Sequence, residues 1–516
     1  MSHWIILPIV LPAFVAPFIV LAARYHITIQ RVLSVAAVAA LITLSAALAW
    51  QVSDGTVLNY RLGNWAAPFG IVIVGDRLST LMILLTSVLA LFVLLYAVGS
   101  GWDERGRHFH ALFQFQLMGI LGAFLTGDLF NLFVFFEILL IASYGLMIHG
   151  GGHARLKAGT QYVLYNLIGS TLFLFALGSL YAETGTLNMA DLADRVALIG
   201  EGGTVGIRVA AVLLILVFAI KAALAPLHFW LPSSYSEAPA PVAALFAVMT
   251  KVGAYAIIRV YTMIFPPELD ATAGLHDVWL PPLALVSLAV GMIGVLAARR
   301  LDRLVAYSVV GSMGTVMIAI SLFTPEGIAA ALYYMVHSTF AAAILFLVSD
   351  LVRTGRGGVS LTSAPPMAGG ALTAALFFAG AIAMTGLPPL SGFLGKLLVL
   401  DAARPDDWAV WIWAVILSTS LIAVLGFARA GSLLFWKAHD ASTAGPEDEA
   451  DRRARPAPLA FAAVGGLVAV LLLHTAFAGP IHAYMTALSA DLFGAEAYRE
   501  TVLDGVGKMI APDEGG

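Results

Sequence analysis

Residues 130–148 read FNLFVFFEILLIASYGLMI, apolar at almost every position and interrupted near the middle by Glu137. A helix rises 1.5 Å per residue, so a stretch of roughly twenty residues covers the ~30 Å hydrocarbon core of a bilayer. Runs of this kind recur along the whole 516-residue chain, which is 60% apolar and 11% charged with a mean hydropathy of +0.92. Such a composition lies outside the soluble globular range. Without strand-type alternation a membrane barrel is excluded, and an all-α polytopic membrane protein is expected.

Other composition signals narrow the chemistry. There are no cysteines, which removes disulfides, iron–sulfur clusters and thiolate metal sites from this chain. A net charge of −4 gives no basis for a nucleic-acid partner. The N-terminus, MSHWIILPIVLPAF, lacks the basic region and small-residue cleavage site of a signal peptide and is expected to be a retained first span.

Fourteen spans are expected, near residues 4–23, 32–50, 78–98, 111–127, 129–149, 160–181, 205–223, 240–263, 279–297, 304–322, 327–350, 370–401, 408–435 and 458–478. With the N-terminus outside, inward loops hold Arg24, Arg31, Arg105, Arg107, Arg155, Lys157, Arg299, Arg300, Arg303, Arg353, Arg356, Lys437, Arg452, Arg453 and Arg455. Outward segments hold only Arg61, Arg77, Arg195, Arg208, Arg404, Arg499 and Lys508. The positive-inside bias therefore places both termini outside. Residues 437–456, KAHDASTAGPEDEADRRARP, read as a flexible cytoplasmic loop, and the mildly amphipathic tail after Gly479 as lying on the membrane surface or against a partner.

A few charges fall within or at the ends of spans: Glu137, Lys221, Lys251, Arg259, Lys396 and Arg429, with His337 as a titratable neighbour. A charge at the bilayer centre costs at least about 2.5–3.5 kcal/mol, so such residues face protein or water and mark functional positions. Lys221 ends the run LLILVFAIK and is followed by AALAPLHFWLPSSYSEAPAP. Pro226 cannot donate to the carbonyl of Ala222, so the helix breaks and leaves free carbonyls beside an ammonium. The same grammar recurs in AMTGLPPLSGFLGK, where Pro388 and Pro389 interrupt the twelfth span ahead of Lys396. Spans 4–8 and 9–13 then form two inverted five-helix repeats whose broken members, spans 7 and 12, correspond. The organisation expected is a three-helix segment (1–110), a first repeat unit (111–263), a second (279–435), and a loop, final span and tail (436–516).

Lys251 lies midway through VAALFAVMTKVGAYAIIRV, and Arg259 is near enough to the end of that span to snorkel, as is Arg429 in its own. His337 sits in LYYMVHSTFAAAILFL, flanked by Tyr333, Tyr334, Ser338 and Thr339 as a polar stripe. Structural alternatives stand beside these readings. Glu137 fits a helix-locking partner for a lysine, His337 an interhelical hydrogen bond, and His228, Asp128 and Glu237 structural or lining roles. In the functional reading, burial disfavours the ammonium form of a lysine and a nearby carboxylate favours it. Two charges about 7 Å apart at an effective dielectric of about 20 interact by roughly 2.4 kcal/mol. Movement of Glu137 relative to Lys221 would then switch proton holding and release, and Lys221, Lys251, His337 and Lys396 could pass protons along the membrane plane.

The stretches GDLFNLFVFFEILLIASYGL (127–146) and FAIKAALAPLHFWLPSSYSEAPAPVAALFAVMTKVGAYAIIRV (218–260) resemble the antiporter-type subunits shared by Mrp multisubunit Na⁺/H⁺ antiporters, respiratory complex I and membrane-bound hydrogenases. The similarity is greatest to the D-type branch of the Mrp antiporters. It implies that Glu137, Lys221, Lys251, His337 and Lys396 occupy the family's proton-path positions. It also implies no cofactor, no enzymatic reaction, a bacterial cytoplasmic membrane location, and a hetero-oligomer including a second antiporter-like subunit, moving Na⁺ against protons. Two departures stand out: Leu245 where several relatives carry histidine, and Ala341 where others carry lysine. Two other readings are a proton-pumping subunit driven by redox chemistry elsewhere and a transport-inactive scaffold. No metal site is assigned.

Overall fold

The structure, a computed structural model, describes residues 2–199, 204–437 and 457–504. Apart from Lys437, the loop expected over 437–456 lies outside the described residues, as does Lys508. The chain is an all-α polytopic membrane protein. Among the described residues eleven helical stretches are long and apolar enough to cross a membrane, with Phe109–Leu125 and Gly370–Thr385 as shorter apolar helices.

In chain order the helices are α1 (Leu7–Ala22), α2 (Ile27–Gln51), α3 (Arg77–Gly99), α4 (Phe109–Leu125), α5 (Leu129–Met147), α6 (His153–Thr184), α7 (Met189–Ala197), α8 (Val205–Lys221), α9 (Trp230–Glu237) and α10 (Ala240–Phe246). They continue with α11 (Met249–Met263), α12 (Leu280–Ala297), α13 (Leu301–Ser321), α14 (Pro325–Arg356), α15 (Gly370–Thr385), α16 (Ser391–Ala402), α17 (Ala409–Gly431), α18 (Pro458–Ala476), α19 (Ala478–Phe493) and α20 (Glu496–Leu503). The most apolar windows of α13 and α14 are 94% buried and that of Ala240–Met263 is 100% buried, against 33% for α1, α2, α17 and α18. The segments carrying Lys251 and His337 are thus innermost, and their charges meet protein and not lipid.

The structure departs from the sequence expectations in four places. An antiparallel hairpin, β1 (Leu58–Arg61) and β2 (Val72–Gly75), pairs Leu58 with Gly75 and Arg61 with Val72. The β-branched run Ile71–Val74 favours an extended chain there, too short to register as strand alternation. The eighth span is divided at Ala247 and Val248, so that Lys251 is the third residue of α11 and not mid-helix. Tyr235 holds the break by donating its hydroxyl to the Phe246 carbonyl at 3.1 Å.

Arg259 does not snorkel. It is 3% exposed, and its guanidinium forms a bidentate pair with Asp76 at 2.6 and 2.8 Å. Burial alone would raise the Asp76 pKa, but the charge and hydrogen bonds of Arg259, with those from Ser79, hold it below the usual value. Arg429, by contrast, is exposed and donates to the Ala298 carbonyl at 2.6 Å. The tail also differs, because α19 and α20 fold back on the chain itself. Ser489 bonds the Pro325 carbonyl at 2.7 Å, Asp491 pairs with Arg77 at 2.8 Å, and Arg61 donates to the Val502 carbonyl at 2.9 Å.

Candidate functional site

The first group of charges is assembled by α6. Its Asn166 and Ser170 are four residues apart and so share a face. The Ser170 hydroxyl donates to Oε1 of Glu137, which is half-buried on α5. One turn away, Oδ1 of Asn166 accepts from Nζ of Lys221 at 3.0 Å. The Asn166 amide is oriented by its own donation to the Tyr162 carbonyl at 2.8 Å, which turns the oxygen toward the ammonium. No ion pair joins Glu137 to Lys221 directly among the described residues. The ammonium instead lies 5.4 Å from the ring of Phe136, the residue before Glu137.

Lys221 is the last residue of α8, and the backbone beyond it is irregular through Pro226. Two of its loose polar groups find side-chain partners. The Ile220 carbonyl accepts from the Trp230 indole at 3.2 Å, and the Ala225 N–H donates to the Ser287 hydroxyl at 2.7 Å. Such backbone survives at membrane depth only when protein or water covers it in this way. Gly253 brings α11 against the break: a Cβ there would stand 2.7 Å from both the Ala222 nitrogen and the Phe218 oxygen. A small cavity beside Lys221 is lined by Tyr162, Asn166, Trp230 and, from α11, Met249 and Val252.

Lys251 is fully buried, and its Nζ has no hydrogen-bond partner among the described residues. Thr250 Oγ1 and Gln116 Oε1 are likewise unpartnered, while Gln116 Nε2 reaches the Met249 sulfur at 3.4 Å. A buried ammonium in such surroundings is supported by water or sheds its proton.

The second group gathers around the interruption between α15 and α16. His337, fully buried on α14, contacts both sides of it. Nε2 lies 3.1 Å from the Ala383 carbonyl and Nδ1 2.8 Å from Oγ of Ser391. A carbonyl can only accept, so Nε2 carries the hydrogen and Nδ1 is the atom that gains or loses a proton. Gly392 makes the approach feasible, since a Cβ there would be 2.1 Å from the Ala383 oxygen and 2.7 Å from His337 Nε2. Lys396 reaches back to the Thr385 carbonyl at 2.8 Å and to Ser420 Oγ at 2.8 Å, placing a cation at the C-terminal end of α15.

The accessory residues divide. Ser338 and Thr339 are occupied by the Met335 carbonyl of their own helix, at 3.2 and 2.8 Å. The Tyr334 ring packs 5.5 Å from that of His337. Tyr333 instead stacks on His474 of α18, ring centres 4.4 Å apart. His228 is half-buried in the turn after Pro226, and its Nδ1 has no partner among the described residues. Pro388 and Pro389 lie between Thr385 and Ser391, where neither α15 nor α16 extends.

Sequence reasoning missed Asn166, Ser170 and His474. The first two carried a signal, as polar residues four apart in an apolar span. Outside the spans it also missed Asp103, whose carboxylate joins Arg31 at 2.6 Å and His110 at 3.1 Å. Burial works to raise its pKa, but the hydrogen bonds of His110 and Arg31 prevail and lower it.

Comparison with known proteins shows what the whole chain is similar to. A family model described as "NADH:quinone oxidoreductase/Mrp antiporter, TM" matches residues 126–423, from just before α5 into α17. The chain is 37% identical to the D-type subunit of a probable K⁺/H⁺ antiporter of Rhizobium meliloti (strain 1021), over 98% of each chain. It is 36% identical to the D-type subunit of a Na⁺/H⁺ antiporter of Bacillus subtilis (strain 168), over 98% of this chain and 100% of the other. Among solved structures it is similar to a chain of the Mrp complex from Dietzia sp. DQ12-45-1b, with a TM-score of 0.85 and 27% identity over 98% and 100% of the two chains.

Proposed function

The chain belongs to the NADH:quinone oxidoreductase/Mrp antiporter membrane family as a D-type, proton-translocating antiporter subunit, and on that premise we propose that Glu137, Lys221, Lys251, His337 and Lys396 are its proton path. The observation that carries this reading is the recurrence of one arrangement. Each lysine is buried at or just beyond a helix interruption, and a small cavity opens beside the first of them, Lys221. Glu137 is linked to the first lysine through the α6 pair Ser170 and Asn166. A proton arriving beside Glu137 moves from Lys221 past the cavity to Lys251, onward to Nδ1 of His337, and to Lys396.

The proposal includes fourteen crossings, with spans 4–8 and 9–13 as inverted repeats between the N-terminal segment (1–110) and the final span and tail (436–516), and both termini outside a bacterial cytoplasmic membrane. Supporting it, the α8 and α15/α16 interruptions each sit beside a lysine and recur five spans apart in chain order. The partners are the other subunits of a hetero-oligomeric antiporter, including a second antiporter-like subunit, and the ions exchanged are protons and a monovalent cation. Sodium is the cation proposed; the two relatives above divide between Na⁺ and K⁺ in their names.

The test is cation-driven proton movement in everted membrane vesicles carrying the assembled complex, with Glu137→Ala and Lys221→Ala compared with the unmodified chain and assembly followed by native gel. Loss of transport with assembly intact supports the path. Full transport in both variants refutes it and leaves the chain as a scaffold.

A further inference from the structure

His474 lies in the apolar run of α18 and is 5% exposed, with its Nε2 buried and unpartnered among the described residues. Its ring stacks on Tyr333, whose hydroxyl is also buried and unpartnered. A phenylalanine at either position would pack as well without burying a bare polar atom. Tyr333 is four residues before His337 on α14 and so shares its face. The residue after His474 joins the same centre, since Oγ1 of Thr475 accepts from the Ser391 N–H at 2.9 Å. Ser391 in turn bonds Nδ1 of His337, the nitrogen at which that ring exchanges its proton. The α16 backbone packs close against the same stretch of α14, because a Cβ at Gly395 would stand 2.8 Å from the Tyr334 ring and 3.5 Å from that of Tyr333.

We propose that His474 is a further proton-accepting site, paired with Tyr333 and reached from His337 through Ser391, which gives the second helix break a branch into α18. This rests on the proton path proposed above. One proton leaves Nδ1 of the His337 imidazolium and one arrives at Nε2 of His474. The Ser391 and Tyr333 hydroxyls, which donate and accept at once, carry it with intervening water and end unchanged. Only the two imidazoles change charge.

The experiment uses the assembled complex in everted vesicles, with His474→Gln, His474→Lys, Tyr333→Phe and the double variant His474→Gln/Tyr333→Phe measured beside Lys221→Ala. His474→Gln, which keeps polarity but cannot carry the proton, is expected to lower cation-driven proton movement at least five-fold with assembly unchanged. Tyr333→Phe should lower it comparably and the double variant no further, as for two parts of one route. His474→Lys restores a titratable group and should recover part of the flux. More than half the flux in assembled His474→Gln, or no recovery in assembled His474→Lys, overturns the proposal. Should the His474 variants fail to assemble, full flux in Tyr333→Phe overturns it instead. If Lys221→Ala abolishes transport while these variants do not, only this branch falls; if Lys221→Ala is also active, the underlying path falls with it.

Discussion

Asn166 and Ser170 stand one turn apart on α6, and each holds one member of the first charge group: Ser170 the Glu137 carboxylate, Asn166 the Lys221 ammonium. The carboxylate and the lysine are therefore coupled through a rigid helical turn and not by contact. Separation leaves both free to change protonation without breaking a salt bridge, whose rupture in a buried site would cost about 3–5 kcal/mol.

Removing either bridge should uncouple them. A hydrogen bond to a charged group contributes about 1.5–3 kcal/mol, a factor of roughly ten to a hundred in the population holding that geometry. Asn166→Ala and Ser170→Ala are each expected to reduce cation-driven proton movement about ten-fold in vesicles while assembly persists. Unchanged flux in both would show that α6 only packs.

Arginine substitution separates a fixed charge from a proton carrier. A guanidinium stays protonated under all physiological conditions. Lys221→Arg and Lys396→Arg should keep the local field yet cut transport to about a tenth or less, measured alongside native-gel assembly. Near-normal transport in either would mean that its lysine serves as a static cation.

The close approach at Gly253 gives a steric test. An added methyl there meets backbone of the α8 break at 2.7 Å, and overpacking of this kind costs about 1–3 kcal/mol. Gly253→Ala is expected to lower the melting temperature of the purified complex and reduce transport together, by pushing α11, which carries Lys251, away from the break at Lys221. A methyl accommodated without loss of either would contradict the packing.

The Asp76 and Arg259 pair should govern acid stability on its side of the protein. Because the folded state holds the Asp76 pKa below its unfolded value, the pair stabilises fully above about pH 4 and is lost as pH falls through the lowered folded value. Asp76→Asn leaves Arg259 buried and uncompensated and should cost about 3–5 kcal/mol. Thermal unfolding in detergent across pH 3–7 checks both: the variant should be less stable throughout and lose less of its stability on acidification.

How far these features were legible differs by residue. Glu137, Lys221, Lys251 and Lys396 stood out because a charge in a hydrocarbon-length run is conspicuous by itself. Pro226 and the Pro388 and Pro389 pair announced interruptions because proline removes a donor wherever it stands. The break before Lys251 had no such mark, since it is held by Tyr235, eleven residues upstream of the carbonyl it binds. Arg259 was misread for a related reason: its partner, Asp76, is 183 positions away, and no local pattern distinguishes a paired arginine from a snorkelling one. His474 was passed over because a single imidazole in an apolar run looks unremarkable until Tyr333 is seen against it.

The hydrogen bond from Ser391 to Thr475 bears on the order in which the chain becomes safe to hold in an energised membrane. The groups that close the first interruption, Trp230 and Ser287, follow it within a few dozen residues, so it can seal soon after it leaves the ribosome. The second waits for a residue 84 positions later, supplied by α18. A chain cut short before α18 would retain its titratable groups around an unfinished seam. Truncated products should accordingly act as uncouplers, dissipating the membrane potential of cells that accumulate them, and completion of α18 doubles as a safeguard against leakage.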